Sequence, residues 1–181
     1  MINNVQYGLL HNIASDQKMT VRTGAPTPDD MNDLLAKVWK EPTFFLAHPL
    51  AIAAFGRECT RRGVPPPTVS MMGATFLTWR GIPIIPTDKL LVDGKRKPAG
   101  NKGKTSILLM RTGEQKQGVI GLYQSTLPGE QSRGLSVRFM GTDTKEICSY
   151  LLSLYCSIAI LTDDAIAVLE NVETGNYHEY R

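Results

Sequence analysis

One stretch of the sequence places glycine, lysine and threonine in the order used by phosphate-binding loops. Gly103, Lys104 and Thr105 match the end of the pattern G-x-x-x-x-G-K-[ST], in which backbone amides surround a phosphate. Pro98 holds the position of the first glycine and has no backbone N–H to donate. Residues 106–110 are typical of a strand, whereas a phosphate-binding loop leads into a helix. A phosphate- or nucleotide-binding enzyme that uses residues 98–105 is therefore an alternative that the sequence disfavours.

The same loop is rich in basic side chains. It has more cationic than anionic side chains, with Asp88 and Asp93 as the anions. The cations are Lys89, Lys95, Arg96, Lys97, Lys102 and Lys104. A solvated loop with this charge attracts anionic partners without forming a defined site.

Histidine and cysteine do not form a metal-binding pattern along the chain. His11, His48 and His178 are far apart, and none of them falls in zinc-like spacing with Cys59, Cys148 or Cys156. His48, directly before Pro49, is interpreted as a helix-entry residue. The cysteines lie in apolar segments, where they behave as small hydrophobic residues. We expect no metal, no cofactor and no thiol catalysis.

Carboxylates and tryptophans are also given structural interpretations. Asp163 and Asp164 follow Thr162 and are typical of a turn rather than of a pair for acid–base catalysis. Glu170 and Glu173 have no evident catalytic partner. Trp39 and Trp79 fall within apolar patterns, which indicates core or interface positions. No catalytic, cofactor-binding or metal-binding residue is therefore assigned.

Two helices are predicted in the first third of the chain. Thr27 is a good N-cap, Pro28 suits the first helical position, and apolar residues then recur at helical spacing until Pro42 ends the helix. A second helix is predicted over residues 49–62, with apolar residues around much of its circumference and Gly56 in its middle. We expect it to be buried on more than one side, with Gly56 allowing another backbone to approach.

The prolines of residues 64–67 mark the best internal boundary, and strands are predicted after it. Residues 69–72, 75–79, 82–85 and 135–140 have strand patterns, and residues 106–111 and 118–124 suggest a hairpin around Gly113. In 135–140, Leu135, Val137 and Phe139 alternate with polar residues, as in a half-buried strand. Residues 147–172 are predicted to form either two strands or a helix and strands, joined at 162–164. The periodicity of their apolar residues does not distinguish between these two options.

Composition favours an ordinary globular chain. The sequence has 181 residues, 42% of them hydrophobic and 20% charged, with a formal net charge of +3. This charge is small for a dedicated nucleic-acid-binding protein, and no apolar run approaches the length of a membrane span. Without a signal peptide or a disulfide pattern, we expect a cytoplasmic protein of the α+β class.

Several long, collinear stretches resemble family 2A encapsulins, the SrpI or major membrane protein I group. They cover nearly the whole chain from about residue 7 and comprise residues 26–31, 38–42, 44–49, 51–63, 78–83, 88–89, 134–141, 161–165 and 169–173. The most extensive is AIAAFGRECTRRG at residues 51–63.

The resemblance implies the HK97 phage capsid-like fold, with residues 1–63 in the peripheral domain and residues 64–181 largely in the axial domain. It also implies a non-enzymatic subunit that self-assembles into an icosahedral homo-oligomer around a cargo enzyme. For this group the implied cargo is a cysteine desulfurase, with a role in sulfur metabolism, and the implied location is a nanocompartment in the bacterial cytoplasm.

Family subunits carry an N-terminal arm and an extended E-loop ahead of the region matched here. Because these elements interlock neighbouring subunits, we expect a chain without them to expose apolar surface and to associate. The alternatives to an encapsulin shell are a phage-type HK97 capsid protein and the phosphate-binding enzyme described above.

Overall fold

The computed structural model describes residues 9–71, 73–90, 92, 103–124, 130–132 and 134–177. The helices are α1 (Pro28–Lys37) and α2 (Pro49–Arg61), with short 3-10 helices at Leu9–Asn12, Ser15–Gln17 and Asp163–Ala165. The strands are β1 (Lys18–Thr20), β2 (Phe44–Ala47), β3 (Thr68–Met71), β4 (Ala74–Trp79), β5 (Ile82–Pro86), β6 (Lys104–Met110), β7 (Val119–Tyr123), β8 (Glu130–Ser132), β9 (Leu135–Thr142), β10 (Cys148–Leu154), β11 (Cys156–Ile160) and β12 (Ile166–Glu173). The predicted α+β class is confirmed.

A seven-stranded mixed sheet forms the centre of the larger compact unit, residues 1–119 and 160–181. Its strand order is β1-β12-β6-β2-β5-β4-β3, with parallel pairs at β1–β12 and β2–β5 and antiparallel pairs elsewhere. Along β6, Ile107 and Leu109 join one buried apolar cluster, whereas Leu108 and Met110 join the other. Both faces of the central strands are therefore covered, and this unit has a core of its own.

Helix α1 begins at a complete capping box. The Thr27 hydroxyl accepts a hydrogen bond from the Asp30 amide at 3.2 Å, and the Asp30 carboxylate accepts one from the Thr27 amide at 3.0 Å. The predicted helix start is confirmed. The predicted end is too late, because the backbone leaves helical angles at Val38 and Glu41 has a φ of 47°.

Helix α2 has the predicted bounds to within one residue, but its burial differs from the prediction. Its buried residues share one face (Ala51, Ala54, Phe55, Glu58 and Cys59), while Leu50 is exposed. No atom from outside the backbone of α2 lies within 4 Å of where a Cβ on Gly56 would be, so the expected close approach of another backbone does not occur among the described residues.

Two features of strand pairing differ from the predictions. Strands β6 and β7 do not form a hairpin, because β6 pairs with β2 and β12 while β7 pairs with β11. The two segments are connected instead by an isolated bridge between Thr112 and Val119 and by backbone hydrogen bonds of the turn, such as the one from the Val119 amide to the Arg111 carbonyl at 2.7 Å. Strands β1, β2 and β8 were not predicted. For residues 147–172, the structure gives strands β10, β11 and β12, with the 3-10 helix at the predicted junction.

Residues 120–159 form the second compact unit. It contains the antiparallel sheet β8–β9–β10 and most of the two-stranded sheet of β7 and β11. The prolines at 64–67 do not separate compact units, because strands from before and after them share the seven-stranded sheet. The assignment of residues 1–63 and 64–181 to the peripheral and axial domains stays a prediction. None of the described helices is long and apolar enough to cross a membrane.

Candidate functional site

The residues that resemble a phosphate-binding loop lead into a strand. Lys104 begins β6, and Thr105 is buried and pairs with Val172 of β12. A helix with its N-terminus facing a phosphate is therefore missing from described residues 103–110, where a nucleotide site would need one. Residues 98–102 of the motif lie outside the described residues. The structure does not support the phosphate-binding alternative.

A cavity of about 400 Å³ lies beside the start of β6. It is lined by Leu10, Lys89, Lys104, Thr105, Ser106, Glu170 and Asn171. Lys89 forms an exposed ion pair with Asp88 at 3.2 Å, and the Glu170 carboxylate would repel an anion bound beside the two lysines. Lys95, Arg96, Lys97, Lys102 and Asp93 lie outside the described residues, so the predicted basic loop remains untested.

The histidines and cysteines of the described segments do not converge on a metal site. Among those residues, no three His, Cys, Asp or Glu side chains form a group that could hold a metal ion. His48 caps α2, because its Nδ1 accepts a hydrogen bond from the Leu50 amide at 3.2 Å, which confirms its predicted role at the helix entry. His178 lies outside the described residues.

Cys59 is unsuited to nucleophilic chemistry. Burial raises the pKa of its thiol to about 11, and the nearby Glu58 carboxylate acts in the same direction against the opposing effect of Arg62. A thiol with this pKa carries almost no thiolate at neutral pH. Cys148 and Cys156 are exposed.

Asp164 takes part in a structural ion pair rather than in a catalytic pair. The guanidinium of Arg111, which is only 2% exposed, donates hydrogen bonds to Asp164 at 2.8 Å and to the Thr162 hydroxyl at 2.9 Å. The Thr162 hydroxyl and the Arg111 guanidinium hold the pKa of Asp164 down to about 2. Asp163 and Asp164 lie in the 3-10 turn, so the predicted turn position is confirmed.

The two tryptophans have different environments. Trp79 is buried, packs edge-on against Phe55 at a centroid distance of 5.3 Å, and donates a hydrogen bond to Asn32 at 3.1 Å. Trp39 is 69% exposed, with the Lys40 ammonium 5.0 Å from its ring centroid. The prediction of a core position is confirmed for Trp79, and an interface position for Trp39 stays a prediction. Glu173 lies in β12, where its amide donates a hydrogen bond to the Gly24 carbonyl at 2.7 Å.

The unusual surface of the chain lies in the second compact unit. Most of the exposed large apolar side chains of the described residues fall between 120 and 159: Leu122, Tyr123, Phe139, Met140, Ile147, Tyr150, Leu151, Leu152, Leu154, Tyr155 and Ile158. No described residue of this unit belongs to either buried apolar cluster. A concentration of exposed apolar side chains in one unit is typical of an interaction site.

The pairing of β9 with β10 sorts these side chains onto one face. Residues directly opposite each other in an antiparallel pair point to the same side of the sheet, and the register sets Leu135 against Leu154, Val137 against Leu152 and Phe139 against Tyr150. We call these six side chains the apolar face. The opposite side carries Ser136 paired with Ser153 and Arg138 paired with Leu151.

The apolar face lies partly open. Leu152, Leu154, Tyr150 and Phe139 are 67%, 60%, 59% and 55% exposed, whereas Leu135 and Val137 are half-buried. On the opposite side, Ser136 is buried, and Arg138 and Leu151 are exposed. The prediction that 135–140 forms a strand is confirmed, but burial of its apolar side is not found among the described residues. This surface was not predicted from the sequence, because Leu151 interrupts the apolar–polar alternation that would have marked one face of β10.

Comparison with known proteins gives consistent results over nearly the whole chain. A family model for SrpI-like type 2A encapsulin shell proteins matches residues 1–176. The type 2A encapsulin shell protein SrpI of Synechococcus elongatus is 62% identical over 181 residues, which are 100% of this chain and 56% of that relative. The type 2A encapsulin shell proteins of Mycolicibacterium paratuberculosis and Mycobacterium leprae are 55% and 53% identical, again over 100% of this chain and 56% of each relative.

A solved structure agrees with these sequence matches. The cryo-EM structure of the holo-SrpI encapsulin complex from Synechococcus elongatus PCC 7942 contains a chain that is 63% identical and superposes with a TM-score of 0.89. The match covers 99% of this chain and 61% of the other. The chain thus spans little more than half the length of the curated relatives it matches.

Proposed function

Because this chain belongs to the SrpI-like family of type 2A encapsulin shell proteins, we propose that it acts as part of a subunit that self-assembles into a closed protein nanocompartment. The observation that carries the proposal is the open apolar face of β9 and β10. An apolar sheet face is covered in a mature protein, and assembly supplies covering surface. The finer assignment to the HK97 capsid-type fold is supported by the likeness to a solved encapsulin.

The role is structural rather than enzymatic. Three of the groups considered for catalysis have structural environments: Asp164 pairs with Arg111, His48 caps a helix, and Cys59 is buried with a raised pKa. Relatives of this chain are named as shell proteins.

The enclosed cargo is a cysteine desulfurase, which places the compartment in sulfur metabolism in the bacterial cytoplasm. The support for this part of the proposal is the resemblance of the chain to the family 2A group.

A phage-type capsid around a genome is the competing function. It requires an interior that neutralises nucleic acid, and the formal net charge of +3 provides little for this purpose. The names of the relatives also favour an encapsulin.

The experiment places residues 1–181 in the full-length context of the family. Residues 1–181 replace the matching stretch of the Synechococcus relative, and this chimera is co-expressed with a bacterial cysteine desulfurase or with an unrelated cytoplasmic enzyme of similar size. Purified particles are treated with protease, and their absorbance is measured at 260 and 280 nm. We expect the desulfurase alone to copurify and resist proteolysis, without nucleic acid. Loss of the desulfurase, equal retention of both enzymes, or bound nucleic acid would contradict the assignment of the cargo.

A further inference from the structure

The segment that follows β12 lies along α2 without forming secondary structure of its own. Residues 174–177, which we call the strap, belong to neither a helix nor a strand. Side chains of α2 hold the strap in place. The Arg57 guanidinium donates a hydrogen bond to the Thr174 carbonyl at 2.9 Å and lies 4.4 Å from the ring centroid of Tyr177. One arginine of α2 therefore contacts both ends of the strap.

The side chain of Asn176 occupies a site on α2 that matches a carboxamide group. Its Oδ1 accepts a hydrogen bond from the Arg57 Nε at 2.9 Å. Its Nδ2 donates hydrogen bonds to the Ala54 carbonyl and to the Glu58 Oε1, both at 2.9 Å. A guanidinium only donates and a carbonyl only accepts, so these partners determine which end of the amide faces which. The site is selective for a carboxamide, because a carboxylate would place an oxygen against two acceptors.

The Glu58 carboxylate of this site is buried. Glu58 is only 7% exposed, and its Oε1 accepts hydrogen bonds from Asn176 and, at 2.8 Å, from the Arg61 guanidinium. A buried polar group is costly to the fold unless its hydrogen bonds are satisfied. Asn176 therefore stabilises the carboxylate as well as the strap, and loss of its amide would leave this oxygen with fewer donors.

The strap contributes little to the apolar core. Its one buried residue is Thr174, whose amide and hydroxyl both donate hydrogen bonds to the Gly103 carbonyl, at 3.0 and 3.1 Å. Tyr177, its one large side chain with apolar surface, is 68% exposed. In β12, by contrast, Leu169 and Val172 are fully buried. Detachment of the strap would expose far less apolar surface than unfolding of the sheet, so its free energy of opening should be lower.

We infer that the strap is a latch, which the carboxamide of Asn176 closes on α2 and which opens while the rest of the fold stays intact. In the open state, the Ala54 carbonyl and the Glu58 carboxylate lose their Asn176 partner, and Tyr177 leaves the Arg57 guanidinium. The residue at position 176 thus sets how often the strap is open. All of these residues belong to the larger compact unit and none to the apolar face, so the latch is independent of the proposed shell function.

Cleavage by chymotrypsin after Tyr177 measures the opening. A protease binds several residues before the cleaved bond in an extended form, so the strap must first leave α2. When opening and closing are fast relative to cleavage, the cleavage rate follows the population of the open form. The rate is measured in the 181-residue chain by mass spectrometry of the product that ends at Tyr177. It is divided by the rate for a synthetic peptide of residues 170–181 with the same substitution, which removes differences in intrinsic cleavage.

The key variant replaces the carboxamide by a carboxylate of the same shape. Asn176→Asp loses both Nδ2 hydrogen bonds and places an oxygen against the Ala54 carbonyl and the Glu58 carboxylate, so the corrected rate should rise at least about tenfold. Adding Glu58→Gln supplies a donor and removes one negative charge, and should reverse most of this rise. Glu58→Gln alone is the matched control. It keeps an oxygen that accepts from Asn176, and should change the rate by less than about threefold.

Two outcomes with these variants would overturn the inference. An unchanged corrected rate in Asn176→Asp would show that the carboxamide does not hold the strap closed. A rise that Glu58→Gln fails to reverse would show that the site on α2 is not what recognises residue 176, since a merely structural disturbance would not be repaired by a second substitution.

A destabilised core variant tests whether the strap opens by itself. Ile166→Ala lies in the buried cluster that does not include the residues of α2, and it should make global unfolding easier. We expect its corrected cleavage rate to stay within about twofold of the wild type. In the wild type, the rate should also depend on sub-denaturing urea far less steeply than unfolding does, because local opening exposes little surface. A cleavage rate that follows global stability in either experiment would overturn the inference.

Discussion

Phe139 and Tyr150 face each other across β9 and β10 with ring centroids 5.4 Å apart and planes inclined by 57°, and both remain more than half exposed. Such pairs stabilise a sheet, but the larger gain comes from removing aromatic surface from water. In this chain most of that stabilisation is not realised, because both rings remain in water until another layer of structure covers them. The pair thus connects a local feature of one hairpin with the assembly role of the chain.

Removing apolar surface from this face is expected to cost little in the 181-residue chain. Leu152→Ser should change the free energy of unfolding by no more than about 0.5 kcal/mol, because its side chain is mostly in water already. Leu169→Ala, in the buried core of the seven-stranded sheet, should cost about 2–5 kcal/mol. Urea denaturation of both variants measures the difference. Equal losses would show that the apolar face is already covered in this chain.

The Arg111–Asp164 ion pair should contribute stability that depends on pH. Asp164→Asn leaves a buried guanidinium without its carboxylate, at an expected cost of about 1–3 kcal/mol at pH 7. The pKa of Asp164 is lowered from 3.8 to about 2, so the stabilisation is complete above pH 4 and is lost as the pH falls towards 2.

Denaturation of the wild type and of Asp164→Asn at a series of pH values tests this dependence. The stability difference between them should shrink between pH 4 and pH 2. Asp163→Asn, in the same turn, is the control, since the ion pairs described for Arg111 do not include Asp163. A difference that stays constant down to pH 2 would contradict the role of the Asp164 carboxylate.

The capping box of α1 should contribute measurably to the free energy of unfolding. Thr27→Ala removes the hydroxyl that accepts the Asp30 amide hydrogen bond, which should cost about 1 kcal/mol. Thr27→Ser keeps the hydroxyl and should restore most of this loss. Thermal unfolding followed by circular dichroism compares the three proteins. An alanine variant as stable as the serine variant would show that the cap contributes nothing.

The three cysteines should divide into two classes of reactivity. At pH 8, a thiol reagent should label Cys148 and Cys156 within the dead time of an ordinary assay, since both are exposed. Cys59 should react only as fast as the chain opens, because it is buried and its pKa is about 11. Peptide mass spectrometry after timed quenching identifies the sites. Rapid labelling of Cys59 in the native chain would contradict its burial on the inward face of α2.

Local patterns explain why some elements could be predicted from the sequence. Thr27, Pro28 and Asp30 specify the start of α1 through contacts within four residues, and His48 and Pro49 do the same for α2. Strands β4 and β5 are bounded by turn residues and required no knowledge of distant partners. The family was identified from long collinear matches rather than from any of these patterns.

The incorrect strand predictions concern features that are set by residues far apart in the sequence. Strand β2 has four residues, and it forms because Phe45 pairs with Ile84 and Leu109, which are far along the chain. Strand β6 takes its partners from β2 and β12 rather than from its neighbour β7, so local spacing suggested the wrong hairpin. The alternation in β9 correctly indicated one apolar side. Whether that side is covered depends on a partner that the alternation does not specify.

The mass and shape of the particles formed by the chimera provide the sharpest test of the proposed shell function. Residues 1–181 replace the matching part of the Synechococcus relative, and the purified protein is studied by light scattering and negative-stain electron microscopy beside that parent relative. We expect uniform, closed, hollow particles of the same size as those of the parent. Monomers, small oligomers or irregular aggregates from the chimera, under conditions in which the parent forms closed particles, would contradict it.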